Sequence, residues 1–257
     1  MLLLGLVRAC HPGPTLAVSA LVTALAVGSG RDAAGCLLVL AAVLAGQLSV
    51  GWCNDALDAG RDLALGRTGK PVVSGLVTTR ALWVAAGVSL VACVPLSLAN
   101  GLAAGGLHLL GVAGAWSYNL GLKATVFSWV PYVIGFGQFP AFVSLGLPGA
   151  PWPAWWSVLA GALLGVGAHF ANVLPDIDGD LRTGVHGLPQ RLGPRRTRLL
   201  TPVFLVTAVA VLWWPMAFLA AVLALAPRCV RRPDASFLSA IAVAALAVAL
   251  LLVRGTG

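Results

Sequence analysis

Residues 33–62 read AAGCLLVLAAVLAGQLSVGWCNDALDAGRD. The first part, 33–52, holds no charge, and about 20 apolar residues suffice for a helix to cross a bilayer. The run then passes directly into Asn54, Asp55, Asp58 and Asp62. This stretch sets the reading of the whole chain: a membrane helix that ends in a stripe of acids. Asn54, Asp58 and Asp62 are spaced i, i+4, i+8 and share one helical face, with Asp55 beside it. Like charges on one face repel, so such a stripe needs cations to neutralise it.

The composition agrees. Of 257 residues, 59% are hydrophobic and 9% charged, and the mean hydropathy is +0.94. Soluble domains carry about 25% charged residues, so a soluble enzyme, a nucleic-acid-binding module and a disordered chain are excluded. The apolar runs are long, rich in Ala, Leu and Gly, and do not alternate, which argues against a β-barrel. The expected class is all-α: one polytopic membrane domain over 1–257. Candidate spans lie at 14–29, 33–52, 79–99, 101–118, 125–146, 154–174, 197–212, 214–227 and 235–253.

Charge tests that division. Nine spans place 14 of the 16 Lys and Arg on one side, leaving Arg31 and Arg254 on the other. Merging 197–227 into one span would move Arg228, Arg231 and Arg232 to the sparse side. Trp213-Trp214-Pro215 is the expected break. By the positive-inside rule the N-terminus and both acidic clusters are cytoplasmic. The net charge of +8 is therefore a topology signal rather than a sign of nucleic acid. Arg far exceeds Lys, which points to a GC-rich bacterial genome, and the expected location is a bacterial inner (plasma) membrane. The N-terminal residues lack a basic region ahead of their apolar part, so no cleaved signal peptide is expected. The five cysteines have no metal or redox spacing and read as small apolar residues. Gly101…Gly105 and Gly161…Gly165 have the spacing of close helix packing.

The acids are concentrated. There is no Glu, and six of the eight Asp fall in two clusters, 55–62 and 176–180. The second reads Asn172-Val-Leu-Pro175-Asp176-Ile-Asp178-Gly-Asp180, with Asp176 and Asp180 again i, i+4, and with His169 and Asn172 on the same stripe. Intramembrane carboxylates cost about 2.5–3.5 kcal/mol each on insertion scales, so their retention points to use. Hard oxygen donors without nearby Cys or paired His suit Mg²⁺ rather than Zn²⁺. Two such sets would hold ions with a phosphorylated substrate between them. Basic residues come after each cluster, Arg67 and Lys70 after the first and Arg182 and Arg191 after the second, with Lys123 alone between. Lys70 and Lys123 are read as phosphate partners, and Arg195, Arg196, Arg198, Arg228, Arg231 and Arg232 as positive-inside charge. Gly66-Arg-Thr-Gly69-Lys70 is not a P-loop, because Ala64 and Pro71 stand at required positions.

The sequence resembles the UbiA superfamily of intramembrane prenyltransferases. Asn54-Asp55-x-x-Asp58-x-x-x-Asp62 matches that family's first motif at every fixed position. Arg67-Thr-Gly-Lys70-Pro71 resembles its basic continuation. Asp176-x-x-x-Asp180 matches the second motif, and Gly184…Leu188-Pro189…Arg191-Leu192-Gly193 resembles the usual continuation of that motif. Tyr118…Lys123 resembles the Tyr/Lys segment, one residue longer than the commonest form. The similarity covers nearly the whole chain. It implies about nine helices around a central cavity, and Mg²⁺ as cofactor, held by Asn54, Asp55, Asp58, Asp62, Asp176 and Asp180. The donor it implies is an isoprenyl diphosphate, bound through Arg67, Lys70, Tyr118, Lys123, Asn172 and Arg182. Asp58, Asp180 and Lys123 become the catalytic residues. The isoprenyl group would pass through an allylic cation to a small, possibly aromatic acceptor. No nucleic acid enters. Asp178 lies off the Asp176/Asp180 face, as a base or as a solvent ligand. His169 reads as a bundle histidine, and His11, His108 and His186 carry no assignment. The alternatives are a divalent-cation transporter, which needs acids deep in opposed spans; a CDP-alcohol phosphotransferase, whose continuous acidic stretch is absent; and a terpene cyclase of the same superfamily.

Overall fold

The computed structural model describes residues 1–229 and 234–254, and all regular structure among them is helical. The helices are α1 (Leu2–Ala9), α2 (Pro12–Gly28), α3 (Ala33–Ala64), α4 (Thr79–Leu98), α5 (Leu102–Leu120), α6 (Val130–Gly137), α7 (Phe139–Ser144), α8 (Trp155–Val173), α9 (Ile177–Arg182), α10 (Leu188–Leu212), α11 (Ala217–Leu225) and α12 (Ala235–Arg254). Arg231 and Arg232, which enter the charge asymmetry, lie outside the described residues.

Four helical runs are individually long and apolar enough to cross a membrane: Ala33–Ala64, Thr79–Leu98, Trp155–Arg182 and Ala235–Arg254. A fifth results if α1 and α2, bent by 63° at His11, count as one. The expected spans 125–146 and 214–227 take a different form. The first is divided at Gln138 into α6 and α7, each of which has a proline in its first turn. The second contains only the nine residues of α11, about 14 Å of helix, after an extended Trp213 and a short 3₁₀ turn at Trp214–Met216. The break expected at Trp213–Pro215 is thus present, but the helix after it is short. Hydropathy marks apolar residues and does not sense how a proline divides them.

Hydropathy also misjudges α3. The apolar span ends at 52, but helical hydrogen bonding continues through the acids to Ala64. At 32 residues, α3 is about 48 Å long and outreaches a hydrocarbon core of about 30 Å. Asp32 starts it as an N-cap, accepting from Gly35 N at 2.7 Å. The acids therefore stand on a rigid rod.

The main core joins α2, α3, α7, α8, α10, α11 and α12 through residues such as Val39, Phe142, Leu205 and Val243. The outside is apolar too: Val84, Val88 and Val91 on α4 and Val203 on α10 are exposed. A helix apolar all round suits lipid on one side and protein on the other. Glycine sets the closest approaches. A Cβ at Gly165 of α8 would lie 2.3 Å from the Tyr132 carbonyl oxygen of α6, and one at Gly105 of α5 would lie 2.3 Å from the Ser97 carbonyl of α4. Gly165→Ala is expected to cost about 1–3 kcal/mol and to lower the Tm of the purified protein. Gly106→Ala, with open space around its Cβ, should not lower it. Equal Tm for both variants would show that the α6–α8 contact does not depend on that glycine.

Candidate functional site

The acidic ends of α3 and α9 meet, although their clusters are more than 100 residues apart in sequence. The connection is made by arginine. Arg61 donates to Asp58 Oδ2 (2.8 Å) on its own helix and to Asp180 Oδ1 (3.2 Å) on α9. Arg67, in the loop after α3, donates to Asp62 Oδ1 (3.1 Å) and Asp176 Oδ1 (2.6 Å). Each guanidinium bridges one carboxylate of each cluster, a use suited to its forked, planar donors. Asp58, Asp62 and Asp180 are buried, and Asp176 is half-buried.

Further donors complete the shell. Lys123 Nζ, on a 3₁₀ turn between α5 and α6, donates to Asp58 Oδ1. Asn54 Nδ2 lies 3.1 Å from Asp58 Oδ2 and 3.2 Å from Asn119 Oδ1, and Asn119 in turn donates to the Val50 carbonyl (3.0 Å). Gln190 Nε2 donates to Asp180 Oδ2 at 2.8 Å. The repulsion inherent in the stripe is thus relieved by the chain's own cations. Among the described residues, no three acids, His or Cys converge as a ready-made metal cage.

Asp55 has partners of its own. Its Oδ1 accepts from Lys70 Nζ (2.7 Å) and lies 2.9 Å from His11 Nε2, so it ties the α3–α4 loop to the α1–α2 bend. Lys70 is also 3.9 Å from Asp62. Seven residues apart, Asp55 and Asp62 lie on nearly the same side of α3 and share Lys70. Arg182 and Asp178, by contrast, are exposed and make no ion pair among the described residues. The α9 turn directs Asp180 inward and both of these outward.

Below the acids lies an apolar cavity of about 260 Å³. Its upper rim carries His11, Asn54, Tyr118, Asn119, Tyr132 and Asn172. Tyr118 meets Tyr132 edge-on, with ring centroids 5.4 Å apart, and Asn172 Nδ2 is 3.5 Å from the Tyr132 hydroxyl. His169 is fully buried behind both tyrosines, with Nε2 3.0 Å from Ser128 Oγ. It packs within the bundle, and its Nδ1 is buried without a partner.

Of the residues singled out from sequence, Asn54, Asp58, Asp62, Asp176, Asp180, Arg67, Lys70, Lys123, Tyr118 and Asn172 surround the acids or the rim. Sequence reasoning passed over Arg61, His11, Asn119 and Gln190. Arg61 had a signal, its i+3 spacing from Asp58. Asn119 adjoins Tyr118. His11 and Gln190 reach the acids only through the fold.

Comparisons with known proteins bear on the same architecture. No curated protein matches the chain by sequence. Solved structures do match in fold. A UbiA homologue from Archaeoglobus fulgidus bound to GPP and Mg²⁺ is 16% identical with a TM-score of 0.70, over 96% of this chain and 97% of that one. The apo UbiA homologue from Aeropyrum pernix K1 is 21% identical with a TM-score of 0.71, over 94% and 98%. A structure of digeranylgeranylglyceryl phosphate synthase is 16% identical with a TM-score of 0.66, over 99% and 98%. The model of the UbiA prenyltransferase family matches residues 14–255. The paired acidic motifs, the helical membrane bundle and that match together make this chain a member of the UbiA prenyltransferase family.

Proposed function

We propose that this prenyltransferase binds an isoprenyl diphosphate with the diphosphate at the paired acids and the tail in the cavity. The isoprenyl group then passes to a small acceptor, aromatic in the first instance. One observation carries this reading: carboxylates from two distant motifs are drawn together by Arg61 and Arg67 at the polar rim of an otherwise apolar cavity. Such a site offers metal and phosphate chemistry at one end and hydrocarbon space at the other. The acids lie at one end of the bundle rather than deep in opposed helices, which disfavours cation transport.

The donor set fits Mg²⁺. It is all oxygen, from Asp58, Asp62, Asp176 and Asp180 with Asn54, and Mg²⁺ is usually bound by one or two carboxylates plus substrate phosphate. Arg61 Nε is buried without a partner, so the guanidinium bridge is incompletely satisfied and open to exchange. Bound there, the ion would supply charge neutralisation to a leaving diphosphate. The remaining work belongs to the chain. Lys123, Arg61, Arg67 and Lys70 pair with carboxylates in this structure, and a diphosphate offers them a second anionic partner. Their release toward it steadies the leaving group as the C–O bond breaks. The rings of Tyr118 and Tyr132 line the space below, where an electron-rich aromatic face favours the allylic cation. The acceptor then donates its electron pair to that carbon and loses a proton.

In this reading the chain crosses the membrane nine times, with the N-terminus and the acids cytoplasmic. The support is the placement of 14 of 16 basic residues on one side and the projection of α3 beyond its apolar part.

Membranes containing the protein should incorporate labelled isoprenyl diphosphate into lipid with Mg²⁺ and not with chelator. Asp58→Asn and Asp180→Asn should each lower the rate by more than about 100-fold, whereas Asp234→Ala should leave it within about twofold of the wild type. Wild-type rates in either Asn variant would remove the acids from the mechanism. A product formed without acceptor would identify a cyclase. For orientation, tags at Gly30 and Gly149 should be labelled from outside intact cells and a tag at Gly184 should not; the opposite pattern would invert the topology.

A further inference from the structure

The chain bends by 63° between α1 and α2, and the residue at the bend is a histidine. His11 has φ 54° and ψ 67°, a left-handed conformation that is costly for any residue with a side chain. The bend is pinned from α1. A Cβ at Gly51 would lie 2.7 Å from the Cys10 carbonyl oxygen, one at Gly5 would lie 2.7 Å from the Leu76 carbonyl oxygen, and Trp52 Nε1 donates to the Leu6 carbonyl at 2.8 Å. So held, His11 lines the cavity together with Asn54 and Tyr118. Its Nε2 lies 2.9 Å from Asp55 Oδ1. An ionised carboxylate only accepts, so Nε2 carries the proton and Nδ1 is an acceptor. Nδ1 has no partner among the described residues, and it is not sealed in protein, the side chain being 39% accessible. Asp55 does not need the imidazole for its charge, because Lys70 Nζ donates to the same oxygen at 2.7 Å. The bond serves the histidine instead. A buried carboxylate on the rigid α3 holds one edge of the ring, which fixes the tautomer and the direction of the other edge.

We infer that His11 binds the prenyl acceptor: Nδ1 accepts a hydrogen bond from a hydroxyl of the acceptor, and the site therefore selects acceptors that carry one. This rests on the reading that the paired acids hold the donor diphosphate, and it adds the acceptor's place and chemical class. The place follows from the chain of contacts. His11 meets Asp55, Asp55 adjoins Asn54, and Asn54 meets Asp58, so an acceptor on His11 lies beside the donor head group, where the allylic carbon is released. The apolar body of such a molecule has Pro14 and Val18 to rest on, one and two turns further along α2 on the same cavity wall. The class follows from the hydrogen bond. A hydroxyl supplies the donor that Nδ1 lacks. A molecule of the same shape without one covers Nδ1, displaces its water and returns nothing, at a cost of about tenfold in affinity.

The experiment uses the purified full-length protein with Mg²⁺ and geranyl S-thiolodiphosphate, a donor analogue that resists ionisation. Binding of the analogue is measured first. The loaded protein is then titrated with β-naphthol and with β-naphthyl methyl ether, which differ in the hydroxyl proton, and the readout is the ratio of their Kd values. The wild type should prefer the naphthol by about tenfold. His11→Phe should bring the ratio to about one. His11→Asn should keep part of the preference, because asparagine tolerates the left-handed bend and retains a carbonyl acceptor; that partial rescue separates a lost hydrogen bond from a damaged fold. A wild-type ratio near one, an unchanged ratio in His11→Phe, or no binding of the naphthol to the loaded protein overturns the inference and leaves the donor site standing. If the analogue itself does not bind the wild type, the reading of the acids fails and this inference falls with it.

Discussion

Asp58 is nearly enclosed near the end of a helix whose first part, 33–52, carries no charge. A carboxylate in such a place is tolerated only where donors surround it, and here Lys123, Arg61 and Asn54 all do so. That requirement organises the site. Lys123 brings the α5–α6 connection over the acids. Arg61 serves Asp58 through one nitrogen and reaches Asp180 through the other, which ties α9 to α3. Arg67 repeats the arrangement one turn further on, between Asp62 and Asp176. The order of the bundle at this end depends on where buried negative charge finds its partners.

The same cations make the site adaptable. Neutralised by arginine and lysine, the acids are stable at the membrane boundary, and the basic side chains are already placed for an anionic substrate. Replacing a buried ion pair by hydrophobic residues is often neutral or stabilising, so these pairs are weakly explained by stability and better explained by exchange. Below them the bundle keeps an apolar space open by close glycine contacts at its walls, such as Gly165 on the Tyr132 carbonyl. Drawing α8 against α6 there positions Tyr132 and Phe136 on the cavity.

Much of this is legible in the sequence where one local rule decides it. The i, i+4, i+8 acids on α3 lie on one face because helical geometry permits nothing else, and the small-residue spacings mark close contacts. Legibility fails where tertiary context decides. Hydropathy ends α3 at the first charge, since it cannot see that backbone hydrogen bonds continue. It also gives whole spans to 125–146 and 214–227, which prolines and an extended tryptophan divide. The stripe reads as needing added cations, whereas Arg61 and Lys123 already supply them.

The sequence alone determined the solvent and the chemistry: a chain with 9% charged residues must live in lipid, and acids kept against that cost must act. It also determined the face each acid occupies, because helical periodicity is local. Only the tertiary structure decided which acids meet, since contacts across more than 100 residues depend on how helices pack. The same holds for His11 on Asp55 and Gln190 on Asp180. Each is a polar group whose meaning comes from the neighbour that the fold supplies or withholds.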